Sequence, residues 1–312
     1  MVKIAGIDIG GTKISACVIN DGKIISDVIK VETPYDSGKI LATVFDMVEK
    51  LKKENDIMAI ALATAGAVNN ENSKVIGSTG NLPVDYPQVE FKKLLEEKFN
   101  LPTLIENDAN AAAFAEYKVG AAQNSQVSIT VTLGTGVGGG IIIDGKILKG
   151  KSGAAGEIGH LMLGIKPERS CTCGEFNCFE AYASGTGFRR TIIELAKEKI
   201  EFKKSILKDK NIDELTTYDV IAGYKKDDAF CKIAYETWEN ELIIGLTSLA
   251  NIFDADVIVI SGGLAGEVNY EKIEKIVNEK IVTMPTKILQ AQAGNYSGMI
   301  GVSLLAQEKF FK

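Results

Sequence analysis

The chain has 312 residues, 46% hydrophobic and 24% charged, with a formal net charge of −6, a composition that fits two domains of middling size around ordinary cores. The acidic balance excludes a protein whose affinity comes from neutralising a nucleic-acid backbone. No apolar run approaches the roughly 18 to 20 residues that span a bilayer, and "MVKIAGIDIGG" enters a strand pattern with no secretory leader; the expectation is a cytoplasmic protein with neither membrane nor nucleic-acid partner.

In chain order, "GIDIGGTKISACVINDGKII" (6–25) reads as strand, glycine-rich turn, strand, Asp-Gly turn and strand. Asp-Gly between apolar strands marks a tight hairpin, because the turn needs positive φ angles. "ILATVFDMVEKLKKEN" has helical spacing, "IMAIALATAG" is a buried strand, "VEFKKLLEEKFN" an amphipathic helix, and "PTLIEN" a strand opening into the helix "DANAAAFAEYKVG". The opening pattern then returns in "TVTLGTGVGGGIIIDGKIL" (130–148). Gly11-Thr12 and Gly134-Thr135 lie 123 residues apart, and so do Asp21-Gly22 and Asp144-Gly145. One register for both landmarks points to a duplicated domain. The segment 198–228 reads as a solvated peripheral insertion. Beyond it come the long helix "FCKIAYETWENELIIGLTSLANIF", the strand "ADVIVISGG", the helix "YEKIEKIVNEKI", the strand "TKILQAQ" and the closing helix "SGMIGVSLLAQEKFF". Hairpins followed by βα units, twice over, predict two α/β lobes of mixed sheet with a central cleft for a small ligand.

"GTGVGG" (134–139) satisfies the dinucleotide-binding glycine pattern, but a strand and hairpin follow it where that site needs a helix N-terminus. Neither glycine run ends in Gly-Lys-Ser or Gly-Lys-Thr before a helix, so a P-loop fails as well. What remains is a pair of turns stripped of side chains, each with backbone N–H groups and a threonine hydroxyl, suited to oxygen anions; the alternative is plain tight hairpins. A third turn, "ISGGLAG" (260–266), leaves a flat backbone against which a base or ribose can pack.

Three of the five cysteines, Cys171, Cys173 and Cys178, fall within eight residues, and the single histidine, His160, precedes them. An odd count in a reducing compartment disfavours a disulfide framework. Three cysteines and one histidine have the composition of a closed structural zinc site. The spacing His-x10-Cys-x-Cys-x4-Cys is not that of a DNA-binding finger, and free thiols or a disulfide stay open on spacing alone. A catalytic thiol is disfavoured, since the one histidine cannot be both base and ligand. Cys17 and Cys231 fall in strand and helix patterns as small core residues.

"DIGGTK" (8–13), "ENDANAAAFAE" (106–116), "TLGTGVGGGI" (132–141), "GEIGH" (156–160), "CTCGEFNCFEAYASG" (171–185) and "ISGGL" (260–264), in this order, resemble the ROK family of sugar kinases, over about residues 3 to 310. The resemblance implies an α/β fold of duplicated actin-like (ribonuclease H-like) ATPase domains. The expected lobes are 1–118 and 119–296, with a zinc-binding insertion at 156–185 and a terminal helix, about 297–312, packing back on the first lobe. It implies ATP-dependent phosphorylation of a hexose, glucose to glucose 6-phosphate; N-acetylmannosamine, N-acetylglucosamine, fructose and allose are the alternative sugars within the family. It makes Asp108 the general base, where the bare residue also suits a helix N-cap. Sugar contacts are carried over to Gly66, Asn81, Asn107, Asp108, Glu157, His160 and Glu180.

Phosphate and nucleotide contacts fall to Asp8, Gly10, Gly11, Thr12, Lys13, Gly134, Thr135, Gly136, Gly138, Gly139, Gly262 and Gly263. Magnesium belongs at Asp8, zinc at His160, Cys171, Cys173 and Cys178, and a homodimer is expected. Two departures bear on the sugar: Thr64-Ala65-Gly66 stands where the family often has Gly-Pro-Gly, and "NLPVDYP" lacks a following tryptophan. Asn177 replaces a usual glycine, and asparagine tolerates the left-handed conformation. From other classes come a sugar-sensing repressor, whose family members carry an N-terminal DNA-binding domain where this chain has seven residues ahead of Asp8, and a zinc-stabilised sugar-binding module without catalysis. Such a non-catalytic module has no need of both glycine turns and Asp108.

Overall fold

The computed structural model of the chain describes residues 2–77, 82–166 and 168–312; Asn81 lies outside the described residues. The first sheet is built from β1 (Ile4–Ile9), β2 (Lys13–Asn20), β3 (Lys23–Ile24) and β4 (Ile29–Glu32), then, after helix α1 (Ser37–Glu54), β5 (Ala59–Thr64). Helix α2 (Phe91–Phe99) leads to β6 (Thr103–Asn107), which runs directly into α3 (Asp108–Val119). The strand order is β3-β2-β1-β5-β6, with β4 also on β2. β1 and β2 are antiparallel, whereas β1, β5 and β6 are parallel. Asp36 caps α1 by accepting from Lys39 N, and the apolar face of α1, with Ile40, Val44 and Leu51, is buried against the sheet in a core that also takes Ile7, Tyr86 and Phe91.

The second sheet repeats the opening hairpins as β7 (Val127–Leu133), β8 (Val137–Ile143) and β9 (Lys146–Ile147). Helices α4 (Glu180–Ala183), α5 (Gly185–Glu198), α6 (Thr217–Tyr224) and α7 (Ala229–Phe253) follow, then β10 (Val257–Ser261), α8 (Tyr270–Lys280), β11 (Lys287–Gln290) and α9 (Ser297–Phe311). The order is β11-β10-β7-β8-β9, with β10 and β11 parallel. Both Asp-Gly turns have the conformation their sequence demands: φ is 45° and 74° at Asp21-Gly22, and 49° and 75° at Asp144-Gly145. The strand β8 directly after 134–136 is what rules out a Rossmann site there.

The described residues form two compact units. The first comprises residues 1–130, 140–156 and 291–312, the second 131–139 and 157–290. In the first, α9 packs on α3 so closely that a Cβ at Gly301 would run into the Ala111 carbonyl oxygen. In the second, the single tryptophan, Trp238, stacks on Phe188 with centroids 4.8 Å apart and donates its indole N–H to the Ala183 carbonyl. The segment 198–228 is not the solvated insertion expected of its charges. Phe202, Leu207, Leu215, Val220 and Ile221 are buried, with Phe202 edge-on to Phe230 of α7. Phe202 sits in the short 3-10 turn 200–204 and Val220 and Ile221 in the two-turn helix α6, each too brief to show a clear period, so the charges between them dominate the sequence pattern. Among the described residues no helix is long and apolar enough to cross a membrane.

Candidate active site and cysteine cluster

In the first unit the parallel register sets Ile9 beside Thr64 and Thr64 beside Asn107, so β1, β5 and β6 end along one edge. Ligands in α/β sheets gather at such carboxyl ends. Asn107, not Asp108, caps α3: its Oδ1 accepts from Asn110 N at 3.0 Å. Asp108 is the first helical residue, and its Oδ1 accepts from Ala109 N at 2.8 Å and from Asn107 Nδ2 at 3.2 Å. The same Nδ2 donates to the Gly66 carbonyl at 3.0 Å. Gly66 has φ 93°, and a Cβ there would meet the Gly77 carbonyl; the turn after β5 therefore needs glycine at this position. Asp8 stands at the end of β1, where burial, and after it the charge of Asp108, pushes its carboxyl up to about 7. A divalent cation beside it would reverse that shift, because its charge favours the carboxylate. The first glycine turn closes through Gly10 N to the Lys13 carbonyl, and Gly11, Thr12 and Lys13 are exposed at its tip.

A residue with no motif role completes this arrangement. Glu106, wholly buried on β6, accepts from Asn107 N (2.9 Å), Asn110 Nδ2 (3.3 Å) and Asn72 Nδ2 (2.7 Å), and Lys149 Nζ lies 2.6 Å from its Oε2 as an ion pair. Glu106 thus ties the strand end below Asp108 to two loops distant in sequence. Glu106 opens the motif "ENDANAAAFAE" without an assigned role there, and its place after the apolar pair Leu104-Ile105 is the sequence signal for a buried carboxylate.

In the second unit the ligand atoms of His160, Cys171, Cys173 and Cys178 all lie within 4.8 Å of one another. Cys173 and Cys178 Sγ are 3.7 Å apart, and Cys171 Sγ is 3.6 Å from His160 Nδ1. Tetrahedral zinc with sulfur at about 2.3 Å and nitrogen at about 2.0 Å spaces sulfurs about 3.8 Å apart and sulfur from nitrogen about 3.5 Å. The four residues therefore fit a closed zinc site in both donor chemistry and spacing. No disulfide joins Cys173 and Cys178, and all five cysteines are free. Burial first, and the neighbouring cysteines after it, push the Cys178 thiol up to about 12. A cation enters only as thiol protons leave, which makes its affinity depend on pH.

The loop bearing the cysteines is also fastened by a side chain outside the motif. Arg169, 3% exposed, reaches Glu194 Oε2 at 2.8 Å and Glu241 Oε1 at 3.7 Å and lies over the Tyr182 ring. Asn177, with φ 64°, takes the left-handed position expected of it, and its N–H donates to the Arg169 carbonyl. Cys17 and Cys231 are wholly buried core residues, as expected. Glu157 is exposed and leads into a short 3-10 turn, Ile158–His160, closed by His160 N to the Glu157 carbonyl. Gly134, Thr135, Gly136, Gly138 and Gly139 surround the start of β8. Gly262, at φ 91°, sits against the backbone of Leu133, with Gly263 exposed beside it.

A family model described as the ROK family matches residues 4–309. The chain is 33% identical over 315 residues to a glucokinase of Streptomyces coelicolor, covering 97% of each protein. To an N-acetylmannosamine kinase of Escherichia coli O6:H1 it is 31% identical over 309 residues, covering 97% of this chain and 98% of the other. Among solved structures, a ROK family glucokinase from Streptomyces griseus in complex with glucose and AMPPNP matches with a TM-score of 0.81 at 31% identity, covering 98% of this chain and 99% of that one. The chain belongs to the ROK family. Its two mixed sheets with repeated hairpins are the actin-like ATPase architecture of these sugar kinases.

Proposed function

We propose that this ATP-dependent sugar kinase transfers the γ-phosphate of ATP to a hexose, with glucose, phosphorylated at its 6-hydroxyl, as the acceptor. The observation that carries the reading is the junction of β6 and α3, where Asn107 caps the helix and Asp108 is its first residue, at the carboxyl end of the strand. Phosphoryl transfer asks the protein mostly for alignment and charge neutralisation, with a single base at the attacking hydroxyl. Asp108 fills that role by accepting the hydroxyl proton, while Asn107, Glu157, His160 and Glu180 orient the ring through hydroxyl hydrogen bonds. The glycine turns at 10–13 and 134–139 present backbone N–H groups to the phosphates. Asp8 faces magnesium, which when bound neutralises phosphate charge. His160, Cys171, Cys173 and Cys178 hold zinc, whose work in a closed four-ligand site is structural.

A second reading keeps the chemistry and changes the acceptor to N-acetylmannosamine. The 31% identity to the N-acetylmannosamine kinase favours it; Thr64-Ala65-Gly66 and the tryptophan-free "NLPVDYP" depart from the family pattern on the sugar side and bear on which sugar is taken, not on the reaction. A panel of hexoses and amino sugars, scored by ADP release at saturating magnesium-ATP, separates the two. Fastest release with glucose supports the first reading, and preference for the N-acetyl sugar moves the assignment to the second. No release with any sugar would leave a sugar-binding module and sink both.

A further inference from the structure

The segment that leaves the cysteine cluster grips the glycine turn at the start of β8 with three hydrogen bonds. Gly185 N donates to the Gly134 carbonyl at 2.8 Å, Thr186 Oγ1 to the Thr135 carbonyl at 2.8 Å, and Val137 N to Glu180 Oε2 at 3.0 Å. The turn also closes on itself through Gly134 N to the Gly136 carbonyl at 3.0 Å. Any Cβ at Gly136 would run into Glu180 Oε2, so glycine at 136 is what lets the carboxylate reach Val137. The other oxygen, Oε1, accepts from Thr172 Oγ1 at 2.9 Å and lies 3.7 Å from Cys171 Sγ. Cys171 belongs to the cluster with His160. One carboxylate thus bridges the two features, an oxygen to each.

A carboxylate beside a turn that receives phosphate repels the incoming anion, so its presence there calls for an offsetting role. The bridge supplies one. Glu180 accepts the Val137 N–H and, with the two carbonyls held by 185 and 186, fixes the direction in which the remaining N–H groups of the turn point. We propose that Glu180 is a positioning residue for the phosphate-binding turn, and that the cysteine cluster governs nucleotide affinity through it, in addition to any contact with sugar. This rests on the reading of 134–139 as a phosphate site.

The test is calorimetric binding of AMPPNP with magnesium, without sugar, to the zinc-loaded full chain, so that sugar contacts do not enter. Glu180→Ala is expected to weaken binding about 10- to 100-fold, the scale of one lost hydrogen bond to a charged group. Glu180→Gln should bind AMPPNP no more weakly than the parent, because its amide oxygen still accepts from Val137 N, Thr172 can turn to accept from the amide, and the charge that repels phosphate is gone. Thr172→Val, at an exposed position, removes the threonine's bond to Oε1 and keeps the Val137 side of the bridge, and it should weaken AMPPNP about 2- to 5-fold; it stands in for Glu180→Ala if that variant fails to fold. Gly134→Val is the control for the turn, since a Cβ there meets nothing within 4 Å and the larger side chain occupies the space offered to phosphate. Loss of AMPPNP binding in Gly134→Val with parental affinity in Glu180→Ala and Thr172→Val would overturn the bridge. Parental affinity in Gly134→Val would instead overturn the phosphate-site reading beneath it.

Discussion

Asp108 begins α3 without capping it, and this division of labour with Asn107 carries a direct consequence. Asp108→Asn keeps the size and the hydrogen bond from Ala109 N but removes the proton acceptor, so turnover should fall roughly 10²-fold or more. Sugar affinity, read by titration, should stay near that of the parent; unchanged turnover would take the base role from Asp108. Asp8 yields a prediction in pH. With its carboxyl pushed up to about 7 from the ordinary 3.8, the folded chain holds a proton between about pH 4 and pH 7 that the unfolded chain has released. Its contribution is therefore greatest at low pH and is lost as pH climbs through that window. In magnesium-free buffer, Asp8→Asn should flatten the decline in melting temperature from pH 5 to pH 8. A residual slope is expected from Glu241, also pushed up to about 7, chiefly by burial. Identical slopes in parent and variant would remove Asp8 as a source.

At the scale of elements, α3 and α9 meet through small residues. The backbone of Ala111 and Ala115 on one helix faces Gly301 on the other. Since a side chain at 301 would strike the Ala111 carbonyl, Gly301→Ala must push the helices apart and should cost about 1–3 kcal/mol in urea unfolding. A cost near zero would mean that the pair is less tightly packed. The cysteine loop is held from two sides, by the cluster and by Arg169. Cys173→Ser should lower bound zinc, measured by metal analysis, together with melting temperature; full metal content and stability in that variant would exclude Cys173 as a ligand. Helix and strand identities were legible here because periodicity and caps act within a few residues. The packing of 198–228 was not, since Phe202 and the helix α6 that carries Val220 find their partners only when α7 is present to receive them.

Across the whole molecule, the repeat of β1–β3 in β7–β9 is visible in both sequence and backbone, down to paired positive φ angles at Asp21-Gly22 and Asp144-Gly145. By itself the sequence determined the two hairpins, the order of βα units, the donor set of the cysteine cluster and the Asn107-Asp108 junction, because turn chemistry, hydrophobic period and ligand composition are local properties. Only the tertiary structure decided that Asn107 rather than Asp108 caps α3, that Glu106 meets Lys149 and Asn72, and that Glu180 spans from Thr172 to Val137. The last two depend on where a carboxylate taken out of water, wholly at Glu106 and partly at Glu180, finds its donors. Burial makes an unpartnered charge costly, but no spacing along the chain says which distant backbone will arrive to satisfy it.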